Sequence, residues 1–329
     1  MEPIKKIIEK MIVRDLKYFL NKTILNIRLS YMKSNICTIF LPLGIALGFL
    51  LPYTGLELSR WTFIFLLILM FLNFFKIDIS WMEFSKISKG DVYTLFFSYF
   101  FIPSLFVSIC HLLNLAESIT IGFFLTNLAP FAIIAPQFLK LEHERKNSLK
   151  LIIISTIIFP VYFTLMFILF FRRSIRINSL SLFKDAFLLI LIPLIASIFF
   201  KKFKYNLYGK KYLLNLVPCL NMIIIGILCF IYTGSSFLKN NFSSLTTTDF
   251  FILVGLAILQ DFGTYFISKI IMLTNYQRVT LSAKNVALTG IFATIFFPRS
   301  ILPIVIVLGV HFLLFNFFYF LNLNSISNE

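Results

Sequence analysis

Long apolar runs separated by short polar stretches follow one another along almost the whole chain after residue 35. A helix needs about 20 apolar residues to cross the hydrocarbon core of a bilayer. Ten runs approach this length: 35–53, 60–76, 92–114, 119–139, 151–171, 186–200, 212–233, 248–272, 279–297 and 301–321. The pattern predicts an all-α polytopic membrane protein with ten transmembrane helices, numbered here in this order.

The chain before residue 35 has a different pattern. Residues 1–34 hold eight Lys and Arg, and apolar side chains recur at roughly helical spacing over 3–30. A basic amphipathic helix of this kind lies on a membrane surface and is attracted to anionic lipid. We expect this segment on the cytoplasmic face.

The composition agrees with a membrane protein, since 59% of the 329 residues are hydrophobic and 18% are aromatic. A net charge of +16 would suggest nucleic acid as the partner of a soluble protein, but no soluble basic surface is predicted here to bind it. Instead, 22 of the 30 Lys and Arg fall on the side of the N-terminus and 7 on the other, as the positive-inside rule requires. We expect both termini in the cytoplasm, a multi-pass location in the plasma membrane, and no nucleic-acid partner.

The ten predicted helices divide into two sets of five. Residues 35–171 hold the first set and 186–321 the second, with 172–185 as the connector and 322–329 as a cytoplasmic tail. Because five is odd, the second set enters the membrane from the opposite side, which gives two inverted five-helix repeats. In folds with such repeats, a binding site often lies near the bilayer midplane, on helices broken by Pro or Gly at corresponding positions.

Predicted helices 4 and 9 are the candidates for the broken pair. Helix 4 contains Asn127, Pro130 and Pro136. Helix 9 contains Lys284, Asn285, Thr289, Gly290 and Pro298. The alternative is that these are ordinary proline kinks, which are common in membrane helices.

Two clearly ionisable side chains lie deep in the predicted spans, Asp261 in helix 8 and Lys284 in helix 9. A charge at this depth costs roughly 3 kcal/mol or more unless it faces the protein interior. One hypothesis is that the two side chains approach each other or share a polar cavity. The alternative is that Lys284 extends to the membrane surface while Asp261 occupies a polar niche.

Other reactive residue types form no pattern that indicates chemistry. The four cysteines and three histidines (His111, His143 and His311) are scattered, without metal-ligand spacing, and each histidine is expected to be a packing or surface residue. No Glu lies within a predicted span, and a membrane enzyme would need clustered acids, histidines or a serine dyad. We expect no metal site, no cofactor and no enzymatic activity.

Several stretches resemble the bile acid:sodium symporter family and its wider superfamily. "LLILMFLNFFKIDISWMEF" and "YFFIPSLFVSICHLL" are similar to that family's helices 2 and 3, and "LTNLAPFAIIAPQFLKLEHERKNSLKLIIISTIIFPVYF" to its broken helix 4 and helix 5. "LSAKNVALTGIFATIFFPRSILPIVIV" is similar to helices 9 and 10. The resemblance covers most of 35–321. It implies a ten-helix fold with a core and a panel domain, in which helices 4 and 9 cross where they unwind and alternating access moves organic anions.

The resemblance also shows where this chain departs from the family. The family's helix 9 motif, Glu-x-Gly-x-Gln-Asn, binds sodium, and only Asn285 is kept at the four matching positions (Thr280, Ser282, Lys284 and Asn285). In helix 4, Pro130 is kept while Phe131 and Ala132 replace two glycines. Ser155 and Thr156 match hydroxyl residues of helix 5.

The resemblance therefore implies a secondary active transporter of an organic anion, bile-acid-like or a small carboxylate, whose coupling to Na⁺ is opposed by the Lys284 ammonium. Proton coupling or uniport then becomes possible, with Gln260 and Asp261 supplying a hydrogen bond and a counter-charge. The alternatives are Na⁺ binding through Asp261, an efflux carrier for arsenite or an auxin-like acid, a membrane-embedded enzyme, or a receptor. The candidate substrate and ion site comprises Asn127, Pro130, Ser155, Thr156, Gln260, Asp261, Ser282, Lys284, Asn285 and Thr289.

Overall fold

The structure is a computed structural model that describes residues 39–76, 87–171, 179–203, 210–239 and 246–324. The predicted basic helix at 3–30, part of the connector and the end of the C-terminal tail lie outside these residues. The sequence-based division of the chain into repeats therefore stays a prediction.

The described residues form fourteen α-helices. They are α1 (Phe40–Leu50), α2 (Pro52–Leu58), α3 (Thr62–Lys76), α4 (Lys89–Phe96), α5 (Ile102–Leu112), α6 (Glu117–Leu128), α7 (Glu142–Phe171), α8 (Ser179–Phe203), α9 (Lys210–Lys239), α10 (Thr247–Ile258), α11 (Thr264–Ile270), α12 (Asn275–Ser282), α13 (Val286–Phe296) and α14 (Ile301–Asn324). Short 3₁₀ turns occupy Ser59–Trp61, Ala135–Phe138 and Pro298–Ser300.

The prediction of an all-α polytopic membrane protein is confirmed at the level of its helices. Seven helical stretches of the described chain are long and apolar enough to cross a membrane. They are Pro52–Phe75, Lys89–Leu112, Glu142–Phe171, Leu180–Phe200, Cys219–Leu238, Thr247–Ile270 and Pro298–Phe317. Three of the predicted spans are not continuous helices. Span 35–53 is interrupted at Leu51, between α1 and α2, 119–139 ends as a helix at Leu128, and 279–297 is divided between α12 and α13.

Two of the spanning stretches contain a π-turn, a single helical turn that is one residue wider than usual. Phe97–Phe101 joins α4 to α5, and Leu259–Gly263 joins α10 to α11. Both stretches also begin with a capping box: Ser88 pairs with Asp91, and Thr246 with Asp249. The caps satisfy amides that a helix leaves unpaired. The π-turns redirect side chains in mid-helix and are frequent at functional sites.

Close backbone contact fixes the position of α9 beside α1 and α2. Helix α9 packs along α1, α2 and α3, while α3 packs in turn on α8. A methyl group added at Gly44 of α1 would lie 2.1 Å from the carbonyl oxygen of Gly226 on α9. Small residues allow such close approach between helices in a bilayer, where dispersion contacts replace the hydrophobic effect.

Replacing Gly44 by Ala is therefore expected to separate α1 from α9 and to destabilise the protein by about 1–3 kcal/mol. The measurement is thermal unfolding in detergent, followed by intrinsic fluorescence. Gly255→Ala is the matched control, because a methyl group there would meet nothing within 4 Å. Equal unfolding temperatures for the two variants would contradict the close contact.

Candidate functional site

Two unwound stretches cross in the interior of the bundle and pair through their backbones. One follows α6 at Ala129, and the other, 283–285, separates α12 from α13. The Ala132 amide donates to the Ala283 carbonyl at 2.8 Å, and the Asn285 amide donates to the Pro130 carbonyl at 2.7 Å. The two bonds flank an antiparallel bridge between Phe131 and Lys284. We call this pairing the crossover.

The two breaks have different local causes. Pro130 disfavours helical geometry in the residue before it, and Ala129 is accordingly extended, with ψ of 138°. No proline or glycine lies at 283–285, where Ala283 has ψ of 99°. The second break is therefore held by tertiary hydrogen bonds rather than by a local breaker.

Each bridged residue is also held by a neighbouring helix. The Phe131 amide donates to Ser155 Oγ on α7 at 3.2 Å, and the Lys284 amide donates to His311 Nε2 on α14 at 3.3 Å. The Ser155 carbonyl accepts from the Tyr99 hydroxyl at 2.7 Å. The α7 and α14 side chains thus satisfy amides that the broken helices leave without an intrahelical partner.

The side-chain nitrogen of Lys284 is buried and has neutral surroundings. The residue is 5% exposed, and its Nζ donates to Ser98 Oγ in the first π-turn. Nζ also lies 5.1 Å from the ring centre of Phe131 and 5.7 Å from that of Tyr99, distances that allow cation–π attraction. Among the residues that the structure describes, no carboxylate forms an ion pair with Lys284. The alternative of a lysine that extends to the membrane surface does not fit this burial.

Asp261 pairs with His311. The carboxylate Oδ2 lies 2.6 Å from His311 Nδ1, and both residues are buried. The angles of this contact are not those of a hydrogen bond, and neither atom has a hydrogen-bond partner within the described chain. Asp261 and Lys284 are linked only indirectly, through the two ring nitrogens of His311. His311 is a buried residue, as one of the two expectations for the histidines had it, but it also contacts Asp261 and the Lys284 amide.

Gln260 in the second π-turn contacts the end of α6. Its Oε1 accepts from Thr126 Oγ1 at 2.9 Å and from Asn127 Nδ2 at 3.2 Å. Asn127 Oδ1 and Gln260 Nε2 are buried without a hydrogen-bond partner among the described residues. The second π-turn therefore supports the residues just before the first break, while the first π-turn supports Lys284 in the second.

The remaining predicted site residues do not converge on Lys284. Thr156, Ser282 and Thr289 each donate to a carbonyl three or four residues earlier, at 2.7, 2.8 and 3.2 Å respectively. Asn285 Nδ2 lies 4.0 Å from the Met70 sulfur on α3. Three hydroxyl residues are thus satisfied by their own helices, and Asn285 faces α3.

The sequence did not single out Ser98, Tyr99 or Thr126, and it did not reveal the partners of His311. Nothing local distinguishes Ser98 and Tyr99 from the other small and aromatic residues of an apolar helix. Their roles depend on contacts with residues 56 and 186 positions further along the chain. The signals in the sequence were the ionisable residues within apolar spans, Asp261 and Lys284, and the proline at the first break, Pro130.

A second polar cluster lies where α4, α7 and α12 begin. The buried Asp91 carboxylate contacts Lys150 Nζ at 3.1 Å and accepts from the Tyr276 hydroxyl at 2.8 Å. Gln277 Nε2 lies 3.4 Å from the same carboxylate. Since these groups come from three helices, the cluster fixes the start of α12 relative to the other two.

No protein-family model matches the chain, and no curated protein matches it. The resemblance described above therefore rests on the quoted residues alone.

Lys150→Met is expected to destabilise the protein by about 3–5 kcal/mol, because it leaves the buried Asp91 carboxylate without its cation. The double variant Asp91→Asn/Lys150→Met should recover part of that loss. Chemical or thermal unfolding of the two single variants and the double variant measures the coupling between the groups. Strictly additive losses would show that the pair contributes nothing as a pair.

Proposed function

We propose that the protein is a secondary transporter that moves an organic anion by alternating access, with Lys284 as the cation of the binding site. The observation that carries this proposal is a buried lysine amine on the crossover, with neutral partners and no ion pair within the described chain. Crossed, unwound helices near the middle of a bundle are typical of secondary transporters. An ammonium in hydrocarbon is unfavourable by several kcal/mol, and an anionic substrate would offset this.

Electrostatics around Lys284 favour an anion over a cation. Helix α13 begins at Val286, two residues after Lys284, so its positive N-terminal dipole end lies beside the Lys284 backbone. Both contributions repel Na⁺ and attract a carboxylate or sulfonate group. The aromatic rings of Tyr99 and Phe131 lie beside Lys284 Nζ. They suit an organic anion with an apolar part, either bile-acid-like or a small carboxylate.

Corresponding contacts support the proposed ten-helix arrangement as two inverted repeats. In the first half, a π-turn residue (Tyr99) contacts Ser155, which accepts the amide of Phe131. In the second half, a π-turn residue (Asp261) contacts His311, which accepts the amide of Lys284. The order of π-turn, break and supporting helix is the same in both, as a repeat would require. A plasma-membrane location with both termini in the cytoplasm belongs to this proposal.

The geometry of His311 favours a proton rather than Na⁺ as the coupling ion. Nε2 can accept the Lys284 amide only while it carries no proton. A second proton on the ring would remove this hydrogen bond, and the Asp261 carboxylate lies 2.6 Å from Nδ1. Proton binding at His311 would thereby act directly on the backbone of the crossover.

Thermal unfolding should show that organic anions stabilise the wild-type protein and that Lys284→Gln abolishes the effect. Taurocholate and pyruvate serve as probes of the two substrate classes, with either Na⁺ or choline as the counter-ion. Stabilisation of about 2.7 kcal/mol is expected at a concentration 100 times Kd. The matched control is Lys269→Gln, because Lys269 is an exposed lysine of α11. Unchanged stabilisation in Lys284→Gln would contradict the role of the ammonium.

Proton coupling predicts that the stabilisation by the anion changes with pH in the wild type and that His311→Gln loses this dependence. Replacing Na⁺ by choline should not change the stabilisation by the anion in the wild type or in His311→Gln. His111→Gln is the control, since His111 lies exposed in the last turn of α5. Stabilisation of the wild type by Na⁺ itself would show that a sodium site exists, and the proton proposal would then be wrong.

A further inference from the structure

An apolar groove opens on the outside of the bundle between α3, α8 and α9. It has a volume of about 430 Å³ and is lined by eleven residues, none of which is polar or charged. Pro193 lies inside α8 and Ala196 follows one turn later, so one wall combines a missing intrahelical hydrogen bond with a small side chain. The groove differs in this way from a uniformly filled lipid-facing surface.

The groove walls are apolar and open to the surroundings. Ile68 on α3 is 43% exposed and Phe200 on α8 is 53% exposed. A volume of this size lies within the range of small-molecule pockets, about 300–1,000 Å³. In a membrane, the molecules with access to such a surface are lipids.

The depth of the groove corresponds to one leaflet. On α3, Lys76 comes nine positions after Leu67, which lies at one end of the lining, and on α8 Lys201 comes nine positions after Ile192. A helix rises 1.5 Å per residue, so each distance is about 14 Å. This is about half of the roughly 30 Å hydrocarbon core.

The groove runs toward one end of each of the three helices, and basic residues lie at that end in all three. Helix α3 ends at Lys76, the last turn of α8 contains Lys201 and Lys202, and α9 begins with Lys210 and Lys211. No acidic residue occurs anywhere between 186 and 248. Each lysine near a membrane surface adds about 1 kcal/mol of attraction for anionic lipid.

We propose that this groove binds one anionic phospholipid, with an acyl chain between α3, α8 and α9 and the phosphate group at the level of these lysines. The site is separate from the crossover and does not depend on the proposed transport function. It adjoins the crossover through α3, because Phe71 lines the groove and its neighbour Met70 contacts Asn285.

Native mass spectrometry of the delipidated protein in detergent tests the proposal, with phosphatidylglycerol and phosphatidylcholine of identical acyl chains as probes. Phosphatidylglycerol should bind as a single retained molecule and phosphatidylcholine more weakly. Ala196→Trp fills the groove and Lys201→Gln/Lys202→Gln removes charge. Each variant should weaken phosphatidylglycerol binding by about tenfold or more. Ile195→Trp is the matched control, since Ile195 is exposed on the same helix but does not line the groove.

Three results would overturn the proposal. If both lipids bind equally well and Ala196→Trp does not change their binding, the bound lipid belongs to a non-specific shell around the protein. Unchanged phosphatidylglycerol binding in Lys201→Gln/Lys202→Gln would remove the role of charge. A protein dimer that is lost in Ala196→Trp would mean that a second copy occupies the groove. If Ala196→Trp does not fold, phosphatidylglycerol binding to Lys201→Gln/Lys202→Gln alone decides: weaker binding supports the proposal, and unchanged binding contradicts it.

Discussion

The crossover depends on one constraint: backbone amides and carbonyls inside a bilayer need partners within the protein. A break in a membrane helix leaves such groups unpaired, and two breaks that meet can satisfy each other. Here the amides of Ala132 and Asn285 donate to carbonyls of the opposite stretch. The amides of the two bridged residues, Phe131 and Lys284, donate instead to the side chains of Ser155 and His311. The positions of α7 and α14 beside the breaks follow from this requirement.

The chemistry of the site follows from the same arrangement. Because the Lys284 backbone is held in the crossover, its side chain projects into the space between the first π-turn and the ring of Phe131. Asp261 is separated from it by His311 and contacts that ring rather than the lysine side chain. The two buried charges that the sequence reveals therefore have different tasks in the proposed mechanism, one toward the substrate and one toward the proton.

The sequence predicted those features that depend on local pattern. Hydrophobic runs gave the helices and their membrane character, and Pro130 marked the first break because proline acts on its immediate neighbour. The second break has no local breaker at 283–285, although the resemblance to a transporter family pointed to it. The partner of Asp261 was not predictable, because His311 lies 50 residues away and only packing of α14 beside the second π-turn brings them together. The π-turns and the roles of Ser98 and Tyr99 likewise depend on tertiary contacts.

In the proposed mechanism, Lys284 binds an anion whose movement is driven by protons. Uptake of radiolabelled taurocholate and pyruvate into proteoliposomes, under an imposed pH gradient or an imposed Na⁺ gradient, tests it most directly. The account predicts uptake of at least one anion under the pH gradient, none attributable to Na⁺, and loss of uptake in Lys284→Gln. Uptake that needs Na⁺, or that persists in Lys284→Gln, would contradict it.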